Sequence, residues 1–312
     1  MAYILNKSLI SYVVILMFLQ IPACSPGDKT DSANQPFPQR MDKQSDDIWW
    51  MDVPEYLVVL FHPRRDFPQL QEKPNFEELL IPVESNIVIS GRLYEANKTA
   101  PTILFFHGNG ELASDYHDIA GIYLHNKINF VPVDYRGYGK STGMPTVKAM
   151  LGDAVKICLY IKDLLNKKGY TGPLVVMGRS LGSASVLEIA SKIPNQIHGI
   201  IIESGFAYII PLIQRLGAEV NLKNPSITER GIDHLAKIRI YSGPTLLLHG
   251  TLDQIIPCTE AEILYNASPA KNKKLVKLER ADHNTVFTTS IHTYMQAIVQ
   301  FLGTIQVPPS TK

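Results

Sequence analysis

This sequence has little that would point to a metal, a nucleic acid or a disulfide-stapled fold. Three cysteines in 312 residues are too few for a disulfide framework. Neither Cys158 nor Cys258 has metal-ligand spacing, and two separate thiols are the simpler expectation for them, with a bridge as the alternative in an oxidising compartment. No H-E-x-x-H stretch and no Cys/His cluster occurs, so neither a metal nor another cofactor is expected. Charge of one sign is also missing. Lys+Arg 30 against Asp+Glu 29 leaves a net charge of +1, with no basic run of the kind that tracks a phosphate backbone, so no nucleic-acid partner is expected. No period of self-similarity recurs, which removes solenoids and propellers. The apolar segment Leu9 to Ile21 falls short of the ~20 residues that a spanning helix needs.

What is present is a regular alternation. Ile87 to Tyr94, Thr102 to Phe106, Phe130 to Asp134, Leu174 to Met177, Gly199 to Glu203, Thr245 to His249 and Lys274 to Leu278 read as strands. Helical patterns cover Leu112 to His125, Val147 to Lys167, Gly182 to Lys192, Ile232 to Lys237 and Thr288 to Leu302. Strands alternating with helices predict an α/β fold, a mostly parallel sheet covered on both faces with its ligands beyond the carboxyl ends of the strands. At 45% hydrophobic and 19% charged, the chain has the makings of one large core, expected over residues 48–312. The apolar interval about 206–240 is read either as a small lid insertion or as a helix packed on the sheet.

The N-terminus is a different material. Lys7 precedes the apolar segment, which ends in Ile21-Pro22-Ala23-Cys24, so residues 1–23 fit a signal peptide. The ending resembles the lipobox of bacterial lipoproteins, which implies a lipidated Cys24 as the first mature residue. Ser25 after it fits retention at the outer membrane, facing the periplasm. An ordinary secretory signal or an uncleaved anchor is the alternative. Residues 24–47 are rich in Asp, Gln, Ser, Lys and Pro and are expected to form a flexible tether.

The chemistry concentrates at strand ends. Gly178-Arg179-Ser180-Leu181-Gly182 lies between an apolar strand and a small-residue helix, the setting in which a serine nucleophile is presented on a sharp turn. Such a serine needs a base, a group to orient the base, and donors for the oxyanion. Asp253 follows the Thr245 strand and His283 the Lys274 strand. Asp282 adjoins His283 but, as a chain neighbour, is poorly aimed at it; Glu203 is the alternative acid. His107 and His249 precede glycines at strand ends and read as supporting residues. Gly137-Tyr138-Gly139-Lys140-Ser141 ends like a phosphate loop, but Asp134 stands where that loop needs its first glycine.

Taken with Phe106-His107-Gly108-Asn109-Gly110 and Asp134-Tyr135-Arg136-Gly137-Tyr138-Gly139, the order Ser, Asp, His resembles the α/β-hydrolases from about Asn86 to Leu302. The similarity is to their small-capped, membrane-associated branch, which includes acyl-thioesterases and monoacylglycerol hydrolases. The resemblance implies an eight-stranded, mostly parallel sheet and a catalytic set of Ser180, His283 and Asp253. It also implies an oxyanion hole from the backbone N–H groups of Leu181 and Asn109, whose side chains would be free to vary. The expected activity is hydrolysis of carboxylic esters or thioesters through an acyl-enzyme, on a small-molecule or lipid-like acyl substrate, at a membrane reached through the lipid anchor. The alternatives are a serine peptidase or amidase related to the prolyl-oligopeptidases, and a non-catalytic binding lipoprotein.

Overall fold

Runs such as Thr-Ile-Leu-Phe-Phe and Gly-Ile-Ile-Ile-Glu have no polar face, which is the mark of strands covered on both sides. A computed structural model describes residues 49–66, 75–221 and 232–306. The signal peptide, Cys24, the tether and part of the 206–240 interval lie outside the described residues. Eight strands form one sheet: β1 (Glu77–Glu84), β2 (Ile87–Leu93), β3 (Thr102–Phe106), β4 (Asn129–Val133), β5 (Leu174–Arg179), β6 (Gly199–Glu203), β7 (Thr245–Gly250) and β8 (Lys273–Leu278). Their order is β1-β2-β4-β3-β5-β6-β7-β8. The pairs β1/β2 and β2/β4 are antiparallel and the rest are parallel.

Alternate residues of the central strands feed two cores. Leu104, Phe106, Val176, Ile200, Ile202 and Leu247 pack on one face, while Ile103, Phe105, Val175, Met177, Ile201, Leu246 and Leu248 pack on the other, as the two-residue period of a strand requires. The helices on the two faces are α1 (Pro54–Leu60), α2 (His117–His125), α3 (Val147–Lys167), α4 (Gly182–Lys192), α5 (Ile209–Arg215), α6 (His234–Ile240), α7 (Cys258–Ala267), α8 (Val286–Thr289) and α9 (Ile291–Gly303). The α3 stripe of Val147, Met150, Leu151, Ala154, Ile157, Cys158, Ile161 and Leu165 is buried, a helical spacing that lays one face on the sheet. Its start is capped twice. Thr146 Oγ1 accepts from Ala149 N–H at 3.0 Å, and the Asp52 carboxylate accepts from Val147 N–H at 2.6 Å. Each such cap is worth about 1 kcal/mol.

The eight-stranded, mostly parallel sheet is the expected one. β1 adds the strand that the apolar runs do not reveal: only Leu79, Ile81 and Val83 are buried, and glutamates, Leu80 and Pro82 fill the exposed positions. α7 is a helix that the apolar pattern does not reveal, and Cys258 heads it. α6 starts two residues later than its apolar pattern, because the Asp233 carboxylate accepts from Ala236 N–H at 3.0 Å and caps it there. The closing helix is interrupted at Ser290. α5 buries Ile209, Ile210, Leu212 and Ile213. Cys158 and Cys258 are both free thiols, and burial pushes Cys158 up to about 12. Among the described residues no helix is long and apolar enough to cross a membrane.

Candidate active site

β5 has to reverse into α4 within three residues, and the tightness of that turn decides what Ser180 can do. A Cβ on Gly178 would overlap the Gly182 carbonyl, and one on Gly182 would overlap the carbonyl of Phe106 at the end of β3. Ser180 itself sits at φ 51°, a left-handed conformation costing a non-glycine residue about 1–2 kcal/mol. Hydrogen bonds hold it there. Ser180 N–H donates to the Glu203 carbonyl at 2.8 Å, and the Ser180 carbonyl accepts from Ser183 N–H at 3.0 Å and from Ser183 Oγ at 2.6 Å. The hydroxyl is thereby raised at the carboxyl edge of the sheet, on a residue that stays 9% exposed.

Loops after β7 and β8 bring the partners. His283 Nε2 lies 3.0 Å from Ser180 Oγ, and His283 Nδ1 lies 2.7 Å from Asp253 Oδ2. A carboxylate can only accept, so Nδ1 carries the proton and Nε2 is left to accept from the serine hydroxyl. The other Asp253 oxygen accepts from Ile255 N–H at 3.0 Å and Ile256 N–H at 2.8 Å. His249 Nε2 donates to the Ile256 carbonyl at 2.7 Å and stands 3.3 Å from Asp253 Oδ2, so it is a second imidazole on the same carboxylate. Burial alone would raise Asp253, but the hydrogen bonds from His249 and His283 prevail and hold it well below the usual carboxylate range. Burial lowers His283 from its ordinary 6.5 against the pull of Asp253. An anion beside a neutral imidazole is the arrangement a general base requires.

The other acids are occupied elsewhere. Asp282 Oδ1 accepts from Asn284 N–H, Thr285 N–H and Thr285 Oγ1, the bonds of a local turn. Glu203, the alternative acid, accepts from Tyr294 Oη at 2.7 Å and pairs with Arg179 Nε at 3.2 Å; Asp253 is the acid on His283. His107 is fully buried and donates through Nδ1 to the Gly108 carbonyl at 2.8 Å. The Asp134 stretch is framework: Asp134 accepts from Ser90 Oγ and Ala113 N–H, and Arg136 bridges Asp153 and Glu84. Among the described residues no group of three or more His, Cys, Asp or Glu side chains is placed to hold a metal ion.

Leu181 directly follows Ser180 after β5, and Asn109 lies in the loop after β3. Among the described residues, neither of their backbone N–H groups donates to another backbone group. The Asn109 side chain is not free to vary. Its Oδ1 accepts from His62 N–H at 2.7 Å and Tyr138 Oη at 3.1 Å, and its Nδ2 donates to the Val59 carbonyl at 3.2 Å. These bonds tie the loop after β3 to the end of α1 and to the loop after β4, a dependence with no local signature because the partners lie far away in sequence. Arg179, inside the turn itself, reaches Glu111 at 2.6 Å and the His283 carbonyl at 2.7 Å. The only hint of it in the sequence is a cation ending an apolar strand.

The chain is similar in sequence and in fold to several known proteins. A family model described as serine aminopeptidase, S33, matches residues 97–227. Protein bem46 of Schizosaccharomyces pombe is 28% identical over 215 residues, 67% of this chain and 69% of that protein. The uncharacterised membrane protein YNL320W of Saccharomyces cerevisiae is 33% identical over 158 residues, 48% of this chain and 52% of that protein. Among solved structures, the Pyrococcus furiosus esterase Pf2001 superposes with a TM-score of 0.64 at 20% identity, covering 78% of this chain and 98% of that one.

Proposed function

We propose that the chain, whose fold is that of the α/β-hydrolases, is a serine hydrolase cleaving carboxylic esters or thioesters through an acyl-enzyme, a reading supported by its family-model and sequence matches. The observation that carries this reading is the unbroken line from Ser180 Oγ to His283 to Asp253, at 3.0 and 2.7 Å, with the serine on a turn held at positive φ. Ser180 Oγ attacks the acyl carbon as its proton passes to His283 Nε2. The imidazolium is stabilised by Asp253 and returns the proton to the departing alcohol or thiol. Water, deprotonated by the same imidazole, then releases the acid from Ser180. Charge on the tetrahedral oxygen falls to the N–H groups of Leu181 and Asn109, each worth ~3 kcal/mol of transition-state stabilisation.

A peptidase reading is supported by the description of the matching family model. An aminopeptidase also needs an acid for the substrate's free amine, and Glu111 and Glu203, two acids that neighbour the triad, both face Arg179. That favours the ester, and the superposing Pyrococcus furiosus protein is itself named an esterase. A fluorophosphonate probe applied to wild type and Ser180→Ala, beside panels of acyl esters, acyl thioesters and aminoacyl amides, tests the reading. Labelling and ester turnover in wild type alone are expected. A folded wild type that resists the probe would overturn the proposal, and amide cleavage without ester cleavage would favour the peptidase.

We further propose that Cys24 is the lipidated first residue of the mature chain and holds the enzyme at a membrane. The reading is supported by the Ile21-Pro22-Ala23-Cys24 sequence and by the membrane-protein name of YNL320W. Mass spectrometry of the mature N-terminus checks it, and an unmodified Cys24 would contradict it.

A further inference from the structure

We propose that Arg179 is a positioning residue of the catalytic machinery, a single guanidinium that fixes the base loop and the oxyanion loop against the turn that carries the nucleophile. The inference rests on the serine-hydrolase reading above. Each nitrogen of the guanidinium serves a different segment. Nη1 pairs with Glu111 Oε1 at 2.6 Å, in the loop after β3. Nε pairs with Glu203 Oε1 at 3.2 Å, at the end of β6. Nη2 donates to the main-chain carbonyl of His283 at 2.7 Å, so it holds the backbone of the base itself.

The grip on the oxyanion loop extends further. Glu111 Oε2 accepts from Gly108 N–H at 2.7 Å and from Tyr116 Oη at 2.6 Å, which fixes the residue just before Asn109. A Cβ on Gly108 would lie 2.7 Å from Arg179 Nη1, so the glycine is what lets the guanidinium lie against this loop. Burial alone would raise the Glu111 carboxyl, yet the Arg179 charge and the Tyr116 hydroxyl hold it below its ordinary value. Glu203 is in turn held by Tyr294 from α9.

Stability is a poor reason for such a cluster, because a buried ion set is often no better than well-packed apolar side chains of the same volume. Position is a better one. Arg179 precedes the nucleophile by one residue, and its three contacts are the segments whose separation sets the serine-to-imidazole and serine-to-oxyanion geometry. Arg fits this task and Lys does not, since one ammonium cannot present donors in three fixed directions.

The test compares the full chain with Arg179→Lys and Glu111→Gln. The readouts are the rate of fluorophosphonate labelling of Ser180, the split between kcat and KM on a short acyl ester, and the low-field NMR proton on His283 Nδ1, assigned by its loss in His283→Gln. Arg179→Lys keeps the charge. It is expected to label roughly 10²-fold more slowly, the usual consequence of an ångström-scale misplacement, with kcat reduced, KM near wild type and the Nδ1 proton broadened. Glu111→Gln is expected to slow labelling while leaving that proton sharp. A folded Arg179→Lys with wild-type labelling and an unchanged proton overturns the proposal. If Arg179→Lys does not fold, wild-type labelling by Glu111→Gln overturns it. If wild type itself is not labelled, the hydrolase reading fails instead. The Nδ1 proton then decides the clamp alone, broadening in Arg179→Lys upholding it and persistence overturning it.

Discussion

At the scale of single residues, the site works by separating the protonation states of neighbours. His283 is kept neutral chiefly by burial, below its ordinary 6.5, while Asp253 is kept charged by donors that include two imidazoles. The pH dependence follows with a definite sign. A general base must be deprotonated, so kcat/KM should rise with pH through an acid limb lying below the ordinary imidazole value and be level near neutrality. Steady-state rates on an acyl ester from about pH 4 to 8 check this; a limb centred above neutrality would contradict it. Asp253→Asn removes the acceptor that fixes the His283 tautomer, and a loss of about 10³–10⁴ in kcat is expected from the same assay. These three residues were legible in the sequence because each follows a strand, Ser180 and Asp253 after the apolar runs of β5 and β7 and His283 after the lysine-rich β8, at the edge where a parallel sheet gathers its functional side chains. Arg179 and the side chain of Asn109 were not, because their partners (Glu111, Glu203 and His283 for the first, His62, Val59 and Tyr138 for the second) converge only through the fold.

Elements were legible to the extent that they are covered. Strands β3 to β7 are buried along nearly their whole length, so their apolar runs mark them within a residue or two. β1 shows one face to solvent and carries Pro82, and α7 follows a proline within a few residues of a strand, so neither leaves a continuous pattern. Glycines at this scale divide into two kinds. Gly182→Ala would drive a Cβ into the Phe106 carbonyl, backbone that cannot give way, and a loss of about 3 kcal/mol is expected. Gly152, inside α3, has nothing within 4 Å of its would-be Cβ, and Gly152→Ala should stabilise by about 0.5–1 kcal/mol. Urea unfolding of the two variants beside wild type measures both, and a neutral Gly182→Ala would mean that the β3–α4 contact is looser than described.

For the whole molecule, buried histidines make stability depend on acid. His234 donates through Nδ1 to the Phe206 carbonyl at 2.6 Å, and burial lowers it from 6.5 to about 3. The unfolded chain therefore binds a proton between those values that the folded chain refuses. Stability is full above 6.5 and falls with pH, by about 1.4 kcal/mol per unit for this one group. His283 acts in the same direction. Chemical unfolding at a series of pH values should show that slope, and His234→Phe should flatten it; an unchanged slope would assign the acid sensitivity elsewhere. The outer rims of the sheet bear on how copies of the protein treat one another. One rim strand, β1, is studded with Glu77, Glu78 and Glu84 and loses a backbone donor at Pro82. The other, β8, carries Lys273, Lys274 and Lys277. Local counter-charges neutralise several of these, among them Lys168, Lys140, Arg136 and Glu262. A stray strand seeking to extend the sheet would have to strip water from those charges at either rim, so a chain of almost no net charge is still guarded against edge-to-edge aggregation.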